Sequence, residues 1–389
     1  MAHDSLIPLS VPHLGGNEWT YLKDCLDTGW VSSVGSYVDK FEKDLAEFTG
    51  ARHGVATASG TAALHLALLV AGVKPGDLVI TPSLTFIAPV NTIRYAGATP
   101  VFIDSEAAYT QMDPAQLSAF LDSECEAGPD GLRHKPTQRR VAAIMTVHLL
   151  GHPVAMEEIC SLAQKYGLVV IEDATESLGA RYKGAPLGQQ SLLACFSFNG
   201  NKIITTGGGG MIQTHDASLA AKARYLATQA KDDPLEYIHH EVGFNYRMTN
   251  VQAALGCAQL EQLPQFIERR RAIAARYQQE LQGIAGLRVV GEAPWAKSTY
   301  WLSTIVCEDS PFTETRQLMH FLQEHKIQSR PLWQPVHLSP AHKDNHVGGP
   351  CPVAERLYAT ALNLPSSSML SETDLTRVIT AVREFFKRP

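Results

Sequence analysis

The 389-residue sequence has no block of basic residues, no Cys-x-x-Cys pair, no apolar run long enough to span a bilayer and no Gly-x-Gly-x-x-Gly opening its first strand–helix unit. Each absence removes a class of function. Lys and Arg number 33 against 39 Asp and Glu, a formal charge of -6, so nothing tracks a nucleic-acid backbone and nucleic acid is not expected as a partner. The seven cysteines are scattered and odd in number, which suits reduced, mostly buried thiols better than a disulfide framework. Met1 to Leu6 lacks a basic segment followed by an apolar stretch, so the chain is expected to be cytoplasmic, with no membrane partner. Without the glycine fingerprint a dinucleotide-binding dehydrogenase loses its main support. The run Gly207 to Gly210 comes too late for that role and follows a lysine rather than a strand.

What is present describes a globular protein: 45% hydrophobic and 19% charged residues, at a length that favours two or three domains. Between residues 50 and 215, short apolar runs alternate with helical patterns. The runs are His53 to Thr57, Leu78 to Thr81, Pro100 to Asp104, Val141 to Val147, Leu168 to Glu172, Ala194 to Phe198 and Met211 to Gln213. Helices are predicted over Thr61 to Ala71, Asn91 to Tyr95 and Ala155 to Tyr166, the last entered by Pro153 and closed by Gly167. This alternation predicts an α/β fold around a mostly parallel sheet. The polar stretch Cys125 to Gln138 reads as a mobile surface insertion. A long helix, Thr249 to Gln282, is expected to break at Pro264 and to bridge to a smaller C-terminal α/β domain. The division expected is residues 1–260, a large domain carrying the N-terminal segment, and 261–389. The smaller domain is predicted to hold strands near Leu287 to Val290 and Tyr300 to Val306. It should also hold a helix near Thr313 to His325 and a last helix opened by Ser371 with Asp374 three residues on.

Lys202 follows a strand-like run and sits among Asn199, Gly200, Asn201 and threonines, with no acid beside it in sequence. Asp173 ends the most apolar strand candidate, Leu168 to Asp173, and so falls at the carboxyl edge of a parallel sheet, where ligands collect. An amine that forms a Schiff base and an acid that keeps a ring nitrogen protonated are the two groups pyridoxal phosphate requires. Lys202 and Asp173 fill those roles. Thr57-Ala58-Ser59-Gly60-Thr61 joins a strand to a helix start, where backbone N–H groups and small residues suit a phosphate; an ordinary N-cap by Ser59 or Thr61 is the plain alternative. Ser197, five residues before Lys202, can add a hydroxyl to the same anion. Phe86, just past a strand, can stack on a flat ring, although core packing explains a single Phe equally well. Gly243 to Met248 offers an amide, Asn245, and a guanidinium, Arg247, flanked by aromatics. The proline-braced turn Ser329 to His337 offers Arg330 for a carboxylate or phosphate and Trp333 to cover a ring, with His337 closing the segment as a further substrate-binding candidate. No metal site is indicated.

Ser59-Gly60-Thr61-Ala62-Ala63-Leu64, Glu172-Asp173-Ala174-Thr175-Glu176, Ser197-Phe198-Asn199-Gly200-Asn201-Lys202 and Gly243-Phe244-Asn245-Tyr246-Arg247-Met248 follow one another in that order. Together they resemble the DegT-type nucleotide-sugar aminotransferases, over nearly the whole chain. The resemblance implies the fold type I architecture of pyridoxal-phosphate enzymes and a homodimer whose sites lie at the subunit interface. It makes Lys202 the Schiff-base lysine, Asp173 the ring-nitrogen partner and Phe86 the stacking ring, with Gly60, Thr61 and Ser197 on the phosphate. Asn245 would reach the neighbouring subunit's phosphate, and Glu176 would stand near the cofactor's phenolic oxygen, where glutamine is commoner. Glu176 with the Asn-Gly-Asn-Lys and Arg-Pro-Leu-Trp segments is most similar to the subgroup acting on UDP-4-keto-6-deoxy-N-acetylglucosamine. The expected activity is amino transfer from L-glutamate to such a nucleotide-linked keto sugar. A dTDP- or GDP-linked keto sugar, or a non-catalytic sensor of cofactor or nucleotide sugar, is the alternative. The related sugar dehydratases carry histidine in place of Lys202, which favours amino transfer.

Overall fold

Seven strands between residues 53 and 214 build one sheet: β1 (His53–Thr57), β2 (Leu78–Pro82), β3 (Thr99–Ile103), β4 (Val141–Val147), β5 (Val169–Asp173), β6 (Leu193–Ser197) and β7 (Gly210–Thr214). The computed structural model describes residues 5–233, 235–308, 315–345 and 348–387. The strand order is β1-β7-β6-β5-β4-β2-β3. Only β7 runs against the rest, antiparallel to both β1 and β6, so the sheet is mostly parallel as predicted. Side chains alternate between the faces with the two-residue period of a strand. Along β6, Ala194 and Phe196 enter one core while Leu193 and Cys195 enter the other.

Helices α1 (Glu18–Thr28), α2 (Ser36–Thr49), α3 (Gly60–Val70), α4 (Ile87–Tyr95), α5 (Pro114–Glu124), α6 (Met156–Tyr166), α7 (Ala217–Ala227) and α8 (Asn250–Leu281) accompany the sheet. Helix α3, Gly-Thr-Ala-Ala-Leu-His-Leu-Ala-Leu-Leu-Val, is apolar nearly all round and accordingly buried on most sides, against the sheet and its neighbouring helices. Gly167 ends α6 at φ 66°, the left-handed conformation glycine adopts without a Cβ penalty. Two expectations are corrected. The stretch after α5 is an ordered hairpin, Cys125–Gly128 paired with Gly131–His134, anchored by the fully buried His134 ring. Helix α8 also runs through Pro264 unbroken, because buried residues on both sides of it, Leu263 and Phe266 among them, hold the helix in the core.

Beyond α8, a second sheet of strands β8 (Leu287–Val289), β9 (Ser303–Cys307), β10 (Arg330–Pro331) and β11 (Ala361–Leu364) is antiparallel in the order β8-β9-β11-β10. Helices α9 (Thr315–Glu324), α10 (Pro352–Thr360) and α11 (Glu372–Phe386) pack with it. Ser371 caps α11 by accepting from the Asp374 N–H, as read from sequence; Thr313 lies outside the described residues. The N-terminal segment belongs to this same core: Ile7 is buried with Ile327 and Leu364, exchanges backbone hydrogen bonds with Lys326 and Gln328, and the Leu9 carbonyl accepts from Ser366. Six of the seven cysteines are buried and all are free. Among the described residues no helix is long and apolar enough to cross a membrane.

Helices α2 and α8 meet where Gly256 faces the fully buried Phe41 ring; a Cβ there would stand 2.7 Å from a ring carbon. Alanine normally favours a helix over glycine, yet here the ring has no room to retreat. Gly256→Ala is expected to destabilise the protein by about 1–3 kcal/mol, read as a lower midpoint in urea unfolding.

Candidate active site

The parallel strands β1, β2, β4, β5 and β6 end at one edge of the sheet, and the antiparallel β7 begins there. The segments leaving or entering these strands enclose a cavity of about 280 Å³. Ser59, Gly60 and Thr61 come from β1, Thr85 and Phe86 from β2, Val147 from β4, Asp173, Thr175 and Glu176 from β5, Ser197, Asn199 and Lys202 from β6, and Gly208 and Gly209 from the entry to β7. Eight residues singled out from sequence therefore converge: Ser59, Gly60, Thr61, Phe86, Asp173, Glu176, Ser197 and Lys202. The glycine run that was wrong for a dinucleotide supplies part of this wall instead.

Strand β5 and the turn after it carry three buried carboxyl groups, each with its own partners. Glu172 Oε2 accepts from His148 Nε2 and from the Gly188 N–H, both at 2.9 Å. The Val154 N–H donates to His148 Nδ1, which leaves Nε2 as the protonated nitrogen. Burial raises the Glu172 carboxyl, but hydrogen bonds from His148, Ser191 and Gly188 bring it below the usual range. Asp173, 2% exposed, accepts from the Thr175 N–H at 3.0 Å. Burial holds its carboxyl above the usual range, against the pull of the Thr175 hydrogen bonds and the Lys202 charge. Glu176 accepts from the Leu150 N–H at 2.8 Å and stands 3.4 Å from Lys202 Nζ. It too is raised by burial and by Asp173, with Lys202 opposing.

This set fits pyridoxal phosphate. Asp173 is a buried carboxyl shifted toward neutrality, and a cationic ring N–H beside it would restore its charge. Ser59 is an N-cap as well as a cavity residue: its Oγ accepts from the Ala62 N–H at 3.0 Å, while helix geometry leaves the N–H groups of Gly60 and Thr61 without intrahelical acceptors. Any Cβ on Gly60 would come within 2.7 Å of Ser197 Cβ, so only glycine keeps that end of the cavity open. Phe86 is half exposed at the rim, its ring edge-on to Trp333 at 6.3 Å.

The remaining sequence candidates lie outside the cavity. Asn245 is exposed and bridges to Thr228. Arg247 does not reach the cavity from its own chain. Its guanidinium is tied to the buried Glu42, which also binds Arg224 at 2.8 Å and accepts from the Ala56 N–H at 2.7 Å. A buried carboxylate needs that cation more than a surface ligand does. Arg330 is exposed on β10 and donates to its neighbour Ser329, and the His337 ring is shared between Ser83 and Glu355. Sequence reasoning missed Thr85, Thr175, Asn199 and the glycines, and above all Trp301, whose ring lies 4.2 Å from Lys202 Nζ. Trp301 is 99 positions from Lys202 in sequence, with no local pattern to announce it.

Residues 12–383 match the model of the DegT/DnrJ/EryC1/StrS aminotransferase family. The chain belongs to that family. It is 41% identical over 379 residues to the GDP-perosamine synthase of Caulobacter vibrioides, covering 97% of both chains. It is 38% identical over 380 residues to the GDP-perosamine synthase of Escherichia coli O157:H7, covering 98% of both. A DegT DnrJ EryC1 StrS aminotransferase from Brucella abortus has the same fold, with a TM-score of 0.87 at 30% identity over 96% of each chain. The protein is accordingly a pyridoxal-phosphate-dependent nucleotide-sugar aminotransferase of the fold type I architecture.

Arg247→Ala, which leaves Glu42 with Arg224 and the Ala56 N–H, is expected to cost about 2–3 kcal/mol of stability. Arg330→Ala, at an exposed site, should stay within about 0.5 kcal/mol. Equilibrium denaturation of both variants measures the contrast.

Proposed function

We propose that the protein transfers the amino group of L-glutamate to a GDP-linked 4-keto-6-deoxy sugar, in the manner of the GDP-perosamine synthases it resembles. The observation that carries the amino-transfer chemistry is the cavity that gathers Lys202, Asp173 and the Ser59–Thr61 helix start. The nucleotide rests on the relatives: those named GDP-perosamine synthase are 41%, 38% and 34% identical over nearly the whole chain. Guanosine thus replaces the uridine expected from Glu176 and the Arg-Pro-Leu-Trp segment. Glu176 faces Lys202, 3.4 Å away, and so bears on the amine rather than on the base.

Pyridoxal phosphate, when bound, supplies the aldehyde and the electron-accepting ring. Lys202 would hold the cofactor through its amine, and that amine, when free, would move a proton to and from the substrate carbon. Asp173 would keep the ring nitrogen protonated, and its burial would make that ion pair stronger than it is in water. The Gly60 and Thr61 N–H groups, with Ser197, would hold the phosphate at the positive end of α3. Phe86 would cover the cofactor ring, Glu176 would stand near its phenolic oxygen, and Trp333, edge-on to Phe86, would add an aromatic surface for the substrate. Arg330, His337 and Arg247 are weaker candidates for the substrate, since neighbouring groups occupy or distance each of them.

The working unit in this reading is a homodimer. Asn245 would then serve the partner's phosphate. Leu235, Tyr237 and Val242, on the segment leading to Asn245, are strongly exposed, as is Trp19 on α1, and such a surface is suited to burial against a second copy. Light scattering should return twice the 42.4 kDa chain mass; a monomer would remove the shared-site arrangement.

Lys202→Ala is expected to abolish the half-reaction with glutamate while leaving the far-ultraviolet spectrum unchanged. Borohydride reduction of the loaded wild-type protein should place the pyridoxyl group on Lys202. In a panel of GDP-, UDP- and dTDP-linked 4-keto-6-deoxy sugars the GDP compound should give a kcat/KM at least about tenfold above the others. Preference for the UDP compound would return the assignment to the uridine subgroup.

A further inference from the structure

Trp301 falls outside the four segments that carry the family resemblance, and it does not line the cavity. Its indole nevertheless lies against the amine at the centre of the chemistry, with Lys202 Nζ 4.2 Å from the ring centroid. Tryptophan is the aromatic that best holds a cation, and this distance is well inside the roughly 6 Å over which the attraction operates. The residue is held through both ring and backbone. The indole Nε1–H donates to the Asn201 carbonyl at 2.8 Å, next to Lys202 itself, and the Trp301 backbone carbonyl accepts from Arg270 Nη1 at 2.7 Å. Arg270 is 1% exposed and also donates to the Ser366 carbonyl at 2.8 Å, so the residue that anchors Trp301 is itself locked in the core.

A second wall is equally fixed. Glu176 Oε1 stands 3.4 Å from Nζ, and its other oxygen is held by the N–H of Leu150, whose φ of 60° is unusual for a leucine. Gly151 follows at φ 96°, and any Cβ there would meet Trp301 N at 2.7 Å. The strained loop that aims an N–H at Glu176 thus also abuts the segment carrying Trp301.

We propose that Trp301 is a positioning residue which, together with Glu176, cradles the Lys202 ammonium whenever that amine is not bonded to an aldehyde carbon. This rests on the reading of Lys202 as the cofactor lysine. A lysine released by the amino donor is otherwise free on a flexible four-carbon stem. An indole face attracts the charged ammonium and has no comparable hold on the neutral amine. The cradle therefore retains Lys202 while it carries a proton and slackens when the proton is given up, keeping the amine near the carbon it must serve.

The test uses cofactor-free protein treated with carbon-13 formaldehyde and cyanoborohydride, with methylation of Lys202 followed by peptide mass mapping. Trp301→Leu is expected to raise the Lys202 rate roughly five- to tenfold, whereas Trp301→Phe, which keeps an aromatic face, should stay within about twofold of wild type. Unchanged rates in the leucine variant, or an equal rise in both variants, would overturn the proposal, the latter by showing that access alone had changed. Wild-type protein decides the matter if the leucine variant does not fold. The N-methyl signals of Lys202, identified by their absence from Lys202→Arg, should then be displaced upfield by the indole ring current, and a signal at the position of solvated lysines would count against the cradle. Neither readout needs the cofactor, so failure here is separate from failure of the borohydride trapping that tests Lys202 itself.

Discussion

Burying three carboxyl groups at the end of one strand is the constraint around which this site is arranged. Glu172, Asp173 and Glu176 are each at most 4% exposed, and an unpartnered carboxylate in such a place is too costly to survive. Each recruits a different part of the chain: Glu172 takes the His148 ring and the Gly188 N–H, Asp173 the Thr175 N–H, and Glu176 the Leu150 N–H and Lys202. The loop after β4, the turn after β5 and the segment after β6 are drawn to one point by these demands. Of the three, Glu172 has its Oε2 held within the protein by His148 and Gly188, while Asp173 and Glu176 are left raised by burial and facing the cavity. That difference separates a structural carboxylate from two available for chemistry.

The sheet was legible because its strands obey local rules. Short β-branched and apolar runs bounded by glycine and turn residues predicted all seven strands to within a residue or two at either end. Parallel pairing then placed the ends of β1, β2, β5 and β6 on a common edge without any knowledge of side-chain contacts. This is why eight candidate residues from four distant segments could be gathered from sequence alone. Where an expectation failed, a tertiary contact had overridden a local signal. Pro264 marks a break by propensity, yet core packing carries α8 through it, and the polar stretch after α5 is pinned as a hairpin by a buried histidine that composition does not flag.

The site's outer parts were harder to read for a related reason. Arg247 stands in a segment rich in aromatic and amide groups and looks like a ligand for an anion, but its charge answers to Glu42, 205 positions earlier. Trp301 shows the converse: nothing near it in sequence hints at catalysis, and only the approach of the second sheet's first long strand brings it beside Lys202. Long-range ion pairs and ring contacts leave no periodicity behind them, so residues committed to such partners are visible only in three dimensions.

The seating of Ile7 and Leu9 among residues near 327 and 366 bears on how the polypeptide reaches this state. These early residues find their hydrogen-bonding partners only after more than three hundred further residues have left the ribosome, so they must wait exposed while the central sheet assembles. The C-terminal sheet in turn completes its buried cluster only when that waiting segment returns. Closure of the chain upon itself therefore has to follow synthesis of the C-terminal sheet, and loss of the Ile7 side chain would leave that sheet's core with an unfilled place.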